Sequence, residues 1–223
     1  NEYFFTYGNQ AMLKVGVQCK DEQTRKFITA VCKLDPQSLY LNKDFSPEHK
    51  TLNENDLLIL QGSSSPEEEK QILKFVKEGG RIGLFPDFEN KDKSDAFQKW
   101  RATEAVSDNN FFEISEWNRN QGIFANTVNG RELALPYLKI LKRNIPTEGE
   151  TLAFYKDGSS FFKRKTIGKG VIYYFSTLPN KDWSSLEEGF VLVPVLIRIF
   201  NESSEDPALK FSECGDTASL DYK

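Results

Sequence analysis

Residues 56–86 constrain the fold of this chain more than any other stretch. Two short apolar runs, 57–60 and 82–85, have the composition of strands that are buried on both faces. Between them, Ser65-Pro66 and Glu68 predict a capped helix start, and Gly79-Gly80 predicts the helix end. Because strand, helix and strand follow within roughly 30 residues, the stretch predicts a right-handed crossover in a parallel sheet.

The flanking sequence places this unit in one larger α/β domain. Other elements are predicted on both sides of it: strands over 12–19 and 38–41, and helices over 21–34 and 94–106. Leu34 is assigned to the apolar face of the first helix, and Trp100 is expected to point inward from the second. The domain is predicted over 1–200, followed at 201–223 by a polar tail or the start of another domain.

From residue 136 the hydrophobic period changes to two, which is typical of antiparallel strands with one polar side. The Asp157-Gly158 dipeptide lies between two apolar runs and predicts a hairpin turn. Strands are predicted over 111–114, 137–143, 151–155, 160–165 and 171–175. A last helix, apolar from 190 to 199, is predicted to be capped by Ser184 or Ser185.

The composition is that of a globular chain with no strong charge bias. Of 223 residues, 39% are hydrophobic and 28% are charged, and the formal net charge is −4. This balance gives no electrostatic argument for binding nucleic acid or an anionic membrane. No run approaches the ~20 apolar residues of a transmembrane helix, so we expect no membrane insertion by this chain itself. Because Asn1 opens directly into strand-like sequence, we also expect a fragment of a longer protein.

Few residues are candidates for nucleophilic or metal chemistry. Cys19, Cys32 and Cys214 are odd in number and lack short metal-type spacing, so the first two are predicted to be buried free thiols. The single histidine, His49, lies in a charged loop and is expected to be solvated. We therefore predict no metal site and no cofactor.

Two loops are the candidate binding surfaces. Asp87 and Glu89 follow the second strand of the central unit, where the functional edge of an open parallel sheet lies. Asp182, Trp183 and Ser184 form an aromatic loop cluster of the kind that contacts partners. The alternative for Trp183 is that it folds back over the last helix as a lid.

Several stretches resemble known proteins. Residues 56–86 resemble the core of class I glutamine amidotransferase-like domains, which have a three-layer, flavodoxin-like α/β fold. Residues 168–175, 182–186 and 190–196 resemble a narrower group, the membrane-anchored proteins of the Bat (aerotolerance) type. In those proteins a von Willebrand factor A-like domain precedes an amidotransferase-like domain. Residues 1–5 of this chain resemble the start of that second domain. The resemblance implies a mainly parallel sheet with an appended antiparallel hairpin.

The resemblance also implies that the catalytic residues of the family are missing. Phe85 stands where the nucleophilic cysteine of the amidotransferases follows its strand. After the last strand, Leu178 replaces the histidine and Asn180 replaces the glutamate of the later His-Pro-Glu motif. Phenylalanine cannot attack a carbonyl and leucine cannot accept a proton, so the chemistry is expected to be lost.

The expected function is therefore non-catalytic and consists of protein interaction or ligand sensing. By the same resemblance, the domain lies on the periplasmic face of a bacterial membrane, anchored by segments outside this chain. Its partners are then other envelope proteins or domains of the same chain. Two alternatives are a hydrolase or amidotransferase that uses Cys19 before a helix start, and a small-molecule or sugar-binding module with an aromatic-lined pocket beside Asp87.

Overall fold

The computed structural model describes residues 12–34, 39–42, 52–61, 65–87, 100–107, 110–126 and 130–201. The strands among them are β1 (Leu13–Cys19), β2 (Leu39–Asn42), β3 (Leu57–Gln61), β4 (Arg81–Phe85), β5 (Glu104–Ala105), β6 (Ile114–Trp117), β7 (Lys142–Arg143), β8 (Glu150–Tyr155), β9 (Ser160–Ile167) and β10 (Gly170–Phe175). The helices are α1 (Glu22–Cys32), α2 (Pro66–Lys77) and α3 (Leu192–Asn201). None of the described helices is both long and apolar enough to cross a bilayer.

One eight-stranded mixed sheet organises the molecule, in the order β2-β1-β3-β4-β10-β9-β8-β6. The five strands from β2 to β10 pair in parallel, whereas β9, β8 and β6 continue the sheet in antiparallel pairing. The predicted unit of β3, α2 and β4 is confirmed. The predicted hairpin is also confirmed as β8 and β9, with Gly158 at φ +80° in its turn.

Helices cover both faces of the parallel half of the sheet. Apolar residues of α1 and α3 pack into a large cluster with one face of the sheet. Ile72, Phe75 and Val76 of α2 join a second cluster on the other face. The result is the three-layer arrangement expected of strands that are apolar along their whole length.

The ends of α2 follow the sequence signals closely. The Ser65 Oγ accepts a hydrogen bond from the Glu68 backbone N–H at 3.3 Å, and a Glu68 carboxylate oxygen accepts one from the Ser65 N–H at 2.5 Å. This is the predicted capping box. Beyond the helix, Gly79 adopts φ +119°, the left-handed conformation that ends it.

The helix predicted over 94–106 is wrong where the structure describes it; residues 88–99 lie outside the described part. The backbone N–H of Arg101 donates to Ile145 O at 2.9 Å, and that of Val106 donates to Leu141 O at 3.0 Å. These donors therefore serve a neighbouring segment instead of a helical turn. Trp100 lies edge-on to Tyr174, with ring centroids 5.8 Å apart, so its inward direction is right although its secondary structure is not.

The strand predicted over 137–143 is also largely wrong. Residues Leu135–Tyr137 form a single 3-10 turn, Ile140 makes one isolated bridge with Ser184, and only β7 is a strand. Pro136 has no N–H to give to a ladder, which favours the turn. Of the strand predicted over 111–114, only the last residue lies in a strand, because β6 begins at Ile114.

The end of the domain departs from the single helix that the sequence predicts. Ser184 caps a short 3-10 helix, Ser185–Glu188, by accepting a hydrogen bond from the Leu186 N–H. Gly189, at φ +82°, ends that turn before α3 begins. Phe190 is consequently 72% exposed rather than buried, and the side chain of Leu34, past the end of α1, is 63% exposed.

Candidate functional site at the carboxyl ends of the parallel strands

The carboxyl ends of β1, β3, β4 and β10 meet at one edge of the sheet. Cys19 is in register with Gln61, and Gln61 is in register with Phe85. Because β10 runs parallel to β4, Phe175 follows at the same level on the next strand. Ligand sites in open α/β sheets lie beyond this edge, so it is the first place to look for function.

Phe85 is packed rather than presented at this edge. Its ring is 2% exposed and stacks on that of Phe175, with centroids 4.3 Å apart and planes 11° from parallel. The position that would carry a nucleophile in the amidotransferases therefore holds a buried apolar ring. Leu178 is fully buried as well and joins the same apolar cluster.

Asn180 serves the local fold through both ends of its side chain. Its Nδ2 donates to Asp21 Oδ1 at 3.0 Å, and its Oδ1 accepts from the Asp182 N–H at 2.9 Å. Its backbone carbonyl accepts from the N–H groups of Trp183 and Ser184, both at 2.8 Å. Asn180 thus ties the segment after β10 to the segment after β1.

Asp21 links three of the strand ends. Its carboxylate caps α1 by accepting hydrogen bonds from the Thr24 N–H and Oγ–H, at 2.8 and 2.7 Å. Its own backbone N–H donates to the Gln61 Oε1 at 2.8 Å. Gln61 is 4% exposed, and its Nε2 is buried without a hydrogen-bond partner among the described residues.

The predicted binding residue Asp87 is in an ion pair. One of its carboxylate oxygens lies 2.9 Å from the Lys20 Nζ, where the Asp87 side chain is 16% exposed and the lysine 54% exposed. Asp87 thereby bridges the ends of β4 and β1. Glu89, the other predicted residue of that loop, and His49 lie outside the described residues.

The loop predicted as an exposed aromatic cluster is mostly buried, which corrects that interpretation. Trp183 and Ser184 are each 2% exposed, and Trp183 belongs to the cluster that includes α3. The Ser184 hydroxyl donates to Leu178 O at 2.6 Å, and Trp183 O accepts from the N–H groups of Leu141 and Lys142. Trp183 is drawn inward because a large apolar ring gains most by burial. Of the three predicted residues only Asp182 is exposed.

Burial opposes the chemistry that a reactive Cys19 needs. The thiol is 8% exposed, and this burial, with a smaller contribution from the Asp21 charge, raises the pKa of Cys19 to about 12. A thiolate is the nucleophilic form, so the helix start does not activate this thiol. Cys19 and Cys32 are both free and buried, as predicted.

Metal ligands are not gathered among the described residues of this edge. No group of three His, Cys, Asp or Glu side chains with metal-binding geometry occurs in the part of the chain that the structure describes. The sequence did not predict the contacts of Lys20 with Asp87 and of Asp21 with Gln61. The available signal was that polar residues directly follow two apolar strands at one predicted edge.

One cavity among the described residues is formed away from the parallel strand ends. It lies on the antiparallel half of the sheet, between the 118–124 loop and strands β8 and β9, with a volume of about 380 Å³. Its polar residues include Asn118, Gln121, Glu150 and Arg164.

Comparisons with known proteins give structural matches only. No protein-family model matches the chain, and no curated protein matches it either. A β-galactosidase from Bacillus circulans sp. alkalophilus superposes with a TM-score of 0.58 at 14% identity, over 86% of this chain but 31% of the enzyme. A cytoplasmic protein from Salmonella typhimurium LT2 superposes with a TM-score of 0.60 at 11% identity, over 86% of this chain and 99% of that one.

A third structure bears on the fold family. A ThuA-like protein from Bacteroides uniformis superposes with a TM-score of 0.54 at 12% identity, over 90% of this chain and 94% of that one. Identities this low show the fold alone. The chain therefore has a mostly parallel mixed α/β fold that resembles the fold of a ThuA-like protein.

Proposed function

We propose that this chain is a non-catalytic, amidotransferase-like domain that serves protein interaction or ligand sensing. The observation that carries the proposal is the packing at the carboxyl edge. Phe85 stacks on Phe175, Leu178 is buried in the core, and Asn180 ties the segment after β10 to Asp21. Each side chain is occupied in holding the fold together, and none is a nucleophile or a base.

The alternative enzyme would use Cys19, and the same edge argues against it. The thiol is buried with a raised pKa, and Asp21, whose charge raises that pKa further, is engaged by Thr24 and Asn180. No imidazole lies beside it among the described residues. A cysteine enzyme needs a thiolate and a base within hydrogen-bond reach.

The experiment is an assay for glutamate and ammonia release from glutamine by the purified chain, with an active class I amidotransferase in parallel. We expect no turnover above the buffer rate. Glutamate release that disappears in a Cys19→Ser variant would replace the proposal with the cysteine enzyme. Release that survives this substitution would still refute a non-catalytic domain.

The finer assignment belongs to the same proposal. We place the domain in a Bat-type, membrane-anchored envelope protein because residues 168–175, 182–186 and 190–196 resemble that group. Its partners would be other envelope proteins or domains of the same chain, and Asp87 and Asp182 are the candidate contact residues that retain exposed surface.

The full-length protein tests this context. Protease treatment of spheroplasts that carry the full-length protein with a tag on this domain should digest the domain from the periplasmic side. Recovery of an intact, protease-protected domain in the cytoplasmic fraction would contradict the envelope location. A full-length reading frame without a von Willebrand factor A-like domain would contradict the Bat-type assignment.

A further inference from the structure

The cavity on the antiparallel half of the sheet carries two opposite charges that do not neutralise each other. Glu150 on β8 and Arg164 on β9 are direct cross-strand partners, so their side chains lie on the same face. Both line the cavity of about 380 Å³, and no ion pair or hydrogen bond joins the Glu150 carboxylate to any described residue. Opposite charges in this register usually attract one another directly.

The loop over the cavity is held in place by contacts of its own backbone. The Arg198 guanidinium, from α3, donates to Ile123 O at 2.7 Å and to Asn126 O at 3.3 Å. The Asn118 Oδ1 accepts hydrogen bonds from the N–H groups of Asn120 and Gln121, at 3.0 and 3.1 Å. A wall fixed by such contacts exists before a ligand arrives, which lowers the ordering cost of binding.

The remaining walls supply apolar contact. Ile123 and Phe124 are buried behind the cavity at 6% and 3% exposure, and Leu152 is half-buried on β8. The volume is at the low end of the range of about 300–1,000 Å³ that is typical of ligand pockets. The site therefore suits a small molecule with one cationic group, one anionic group and a short apolar part.

We propose that this cavity binds a free α-amino acid with an apolar side chain, with the ligand carboxylate on Arg164 and the ligand ammonium on Glu150. A guanidinium carries five donors and pairs well with a carboxylate, so Arg164 can hold a ligand while keeping its other contacts. Glu150 is exposed at the rim, where an ammonium remains partly hydrated. The apolar side chain lies against Ile123 and Leu152.

The site is distinct from the position of the missing nucleophile. A continuous row of rings separates them: Phe124 contacts Phe162 at 5.1 Å between centroids, and Phe162 contacts Phe175 at 4.8 Å, which stacks on Phe85. The inference deepens the ligand-sensing part of the proposed function. Its failure would leave the absence of glutamine turnover untouched, and turnover of glutamine would leave this cavity unassigned.

Isothermal titration of the purified chain tests the proposal, with L-leucine as the first probe and the other free amino acids after it. Leucinamide lacks the carboxylate and N-acetylleucine lacks the ammonium, so we expect each to bind at least tenfold more weakly than leucine. An amino acid series without detectable binding at millimolar concentration overturns the proposal. So does binding of either blocked derivative that is as tight as the binding of leucine.

Two variants locate the site on the protein. Arg164→Gln and Glu150→Gln should each weaken leucine binding at least tenfold, whereas Lys169→Gln in the exposed β9–β10 turn should not change it. Glu150 is exposed, so its variant keeps the fold if Arg164→Gln proves unstable in a thermal melt. Leucine binding that is unchanged by Glu150→Gln overturns the assignment to this cavity.

Discussion

Arg143 is a buried charge whose surroundings explain why it is stable there. Its side chain is 5% exposed, and its guanidinium donates to Glu104 at 2.9 and 2.7 Å, to Asp157 at 2.5 Å and to Ser159 at 2.9 Å. The group also lies over the rings of Phe112 and Tyr155, at 3.8 and 4.6 Å from their centroids. Paired on one side and stacked on the other, the charge recovers much of the hydration that burial removes.

This network makes stability depend on pH in a defined window. The hydrogen bond from Arg143 holds the pKa of Asp157 well below its ordinary value of 3.8, against a smaller opposing effect of burial. A carboxyl with a depressed folded-state pKa stabilises the fold above its unfolded pKa, and this contribution is lost as pH falls toward the folded pKa. At neutral pH the urea midpoint of the wild type should therefore be higher than that of Asp157→Asn. The two midpoints should converge as the pH falls below 3.8.

The control is Asp182→Asn, since Asp182 makes no ion pair with a described residue. Its midpoint should follow that of the wild type across the same pH range. A gap between the wild type and Asp157→Asn that stays constant below pH 3.8 would contradict the role assigned to the ion pair.

Cys19 offers a second measurement at the level of one residue. Because burial raises its pKa to about 12, iodoacetamide near neutral pH should modify Cys19 only after the chain is unfolded. Peptide mapping by mass spectrometry gives the fraction of Cys19 that is modified in buffer and in denaturant. Rapid, stoichiometric labelling of the native chain at Cys19, with Cys32 unmodified, would instead revive the cysteine enzyme.

At the scale of elements, one close approach couples α2 to the centre of the sheet. A Cβ on Gly170, the first residue of β10, would lie 2.1 Å from Gly80 O and 2.2 Å from Val76 O. Both atoms are backbone and cannot rotate away. The return of the chain into β10 is therefore possible only because this residue has no side chain.

We expect Gly170→Ala to destabilise the domain by at least about 1–3 kcal/mol, the usual cost of overpacking a core. Chemical denaturation followed by circular dichroism measures the change. Gly158→Ala is the matched control, since its Cβ would meet nothing within 4 Å and the variant is strained only by φ +80°. Equal losses in the two variants would argue against the close approach as the cause.

The elements that the sequence predicts well are those with strong local signals. The capping box at Ser65 and the Asp157-Gly158 turn each require particular residues at particular positions, and both are present. The segments around Trp100 and Tyr137 carry no such signal. The Arg101 N–H donates to Ile145 O, and the N–H groups of Leu141 and Lys142 donate to Trp183 O. Short-range periodicity cannot reveal such distant partners.

At the scale of the molecule, Arg81 joins the start of β4 to the end of α3. The side chain is buried, and its guanidinium donates to Ile199 O at 2.5 Å and to Phe200 O at 3.3 Å, across 118 and 119 residues of sequence. These carbonyls are among the last of α3, which have no partner within the helix. A cation at the C-terminus of a helix also opposes the negative end of its dipole.

Arg81→Met should cost about 1.5–3 kcal/mol, as expected for lost hydrogen bonds to a charged group. Hydrogen exchange at residues 192–201 should accelerate more than at residues 66–77, because α3 loses its C-terminal contact and α2 does not. Lys77→Met, on the exposed end of α2, is the control. Uniform acceleration over both helices would show that Arg81 contributes only to global stability.

The sequence by itself determined the parallel core, because apolar strands, caps and glycine stops act over a few residues and leave a readable pattern. It also determined that Phe85, Leu178 and Asn180 lack reactive groups. Only the tertiary structure decided that Trp183 lies inside and that Asp21 joins three strand ends. It alone placed Glu150 and Arg164 side by side in the wall of one cavity. These features depend on strand register and on contacts between residues far apart in the chain, which no local pattern encodes.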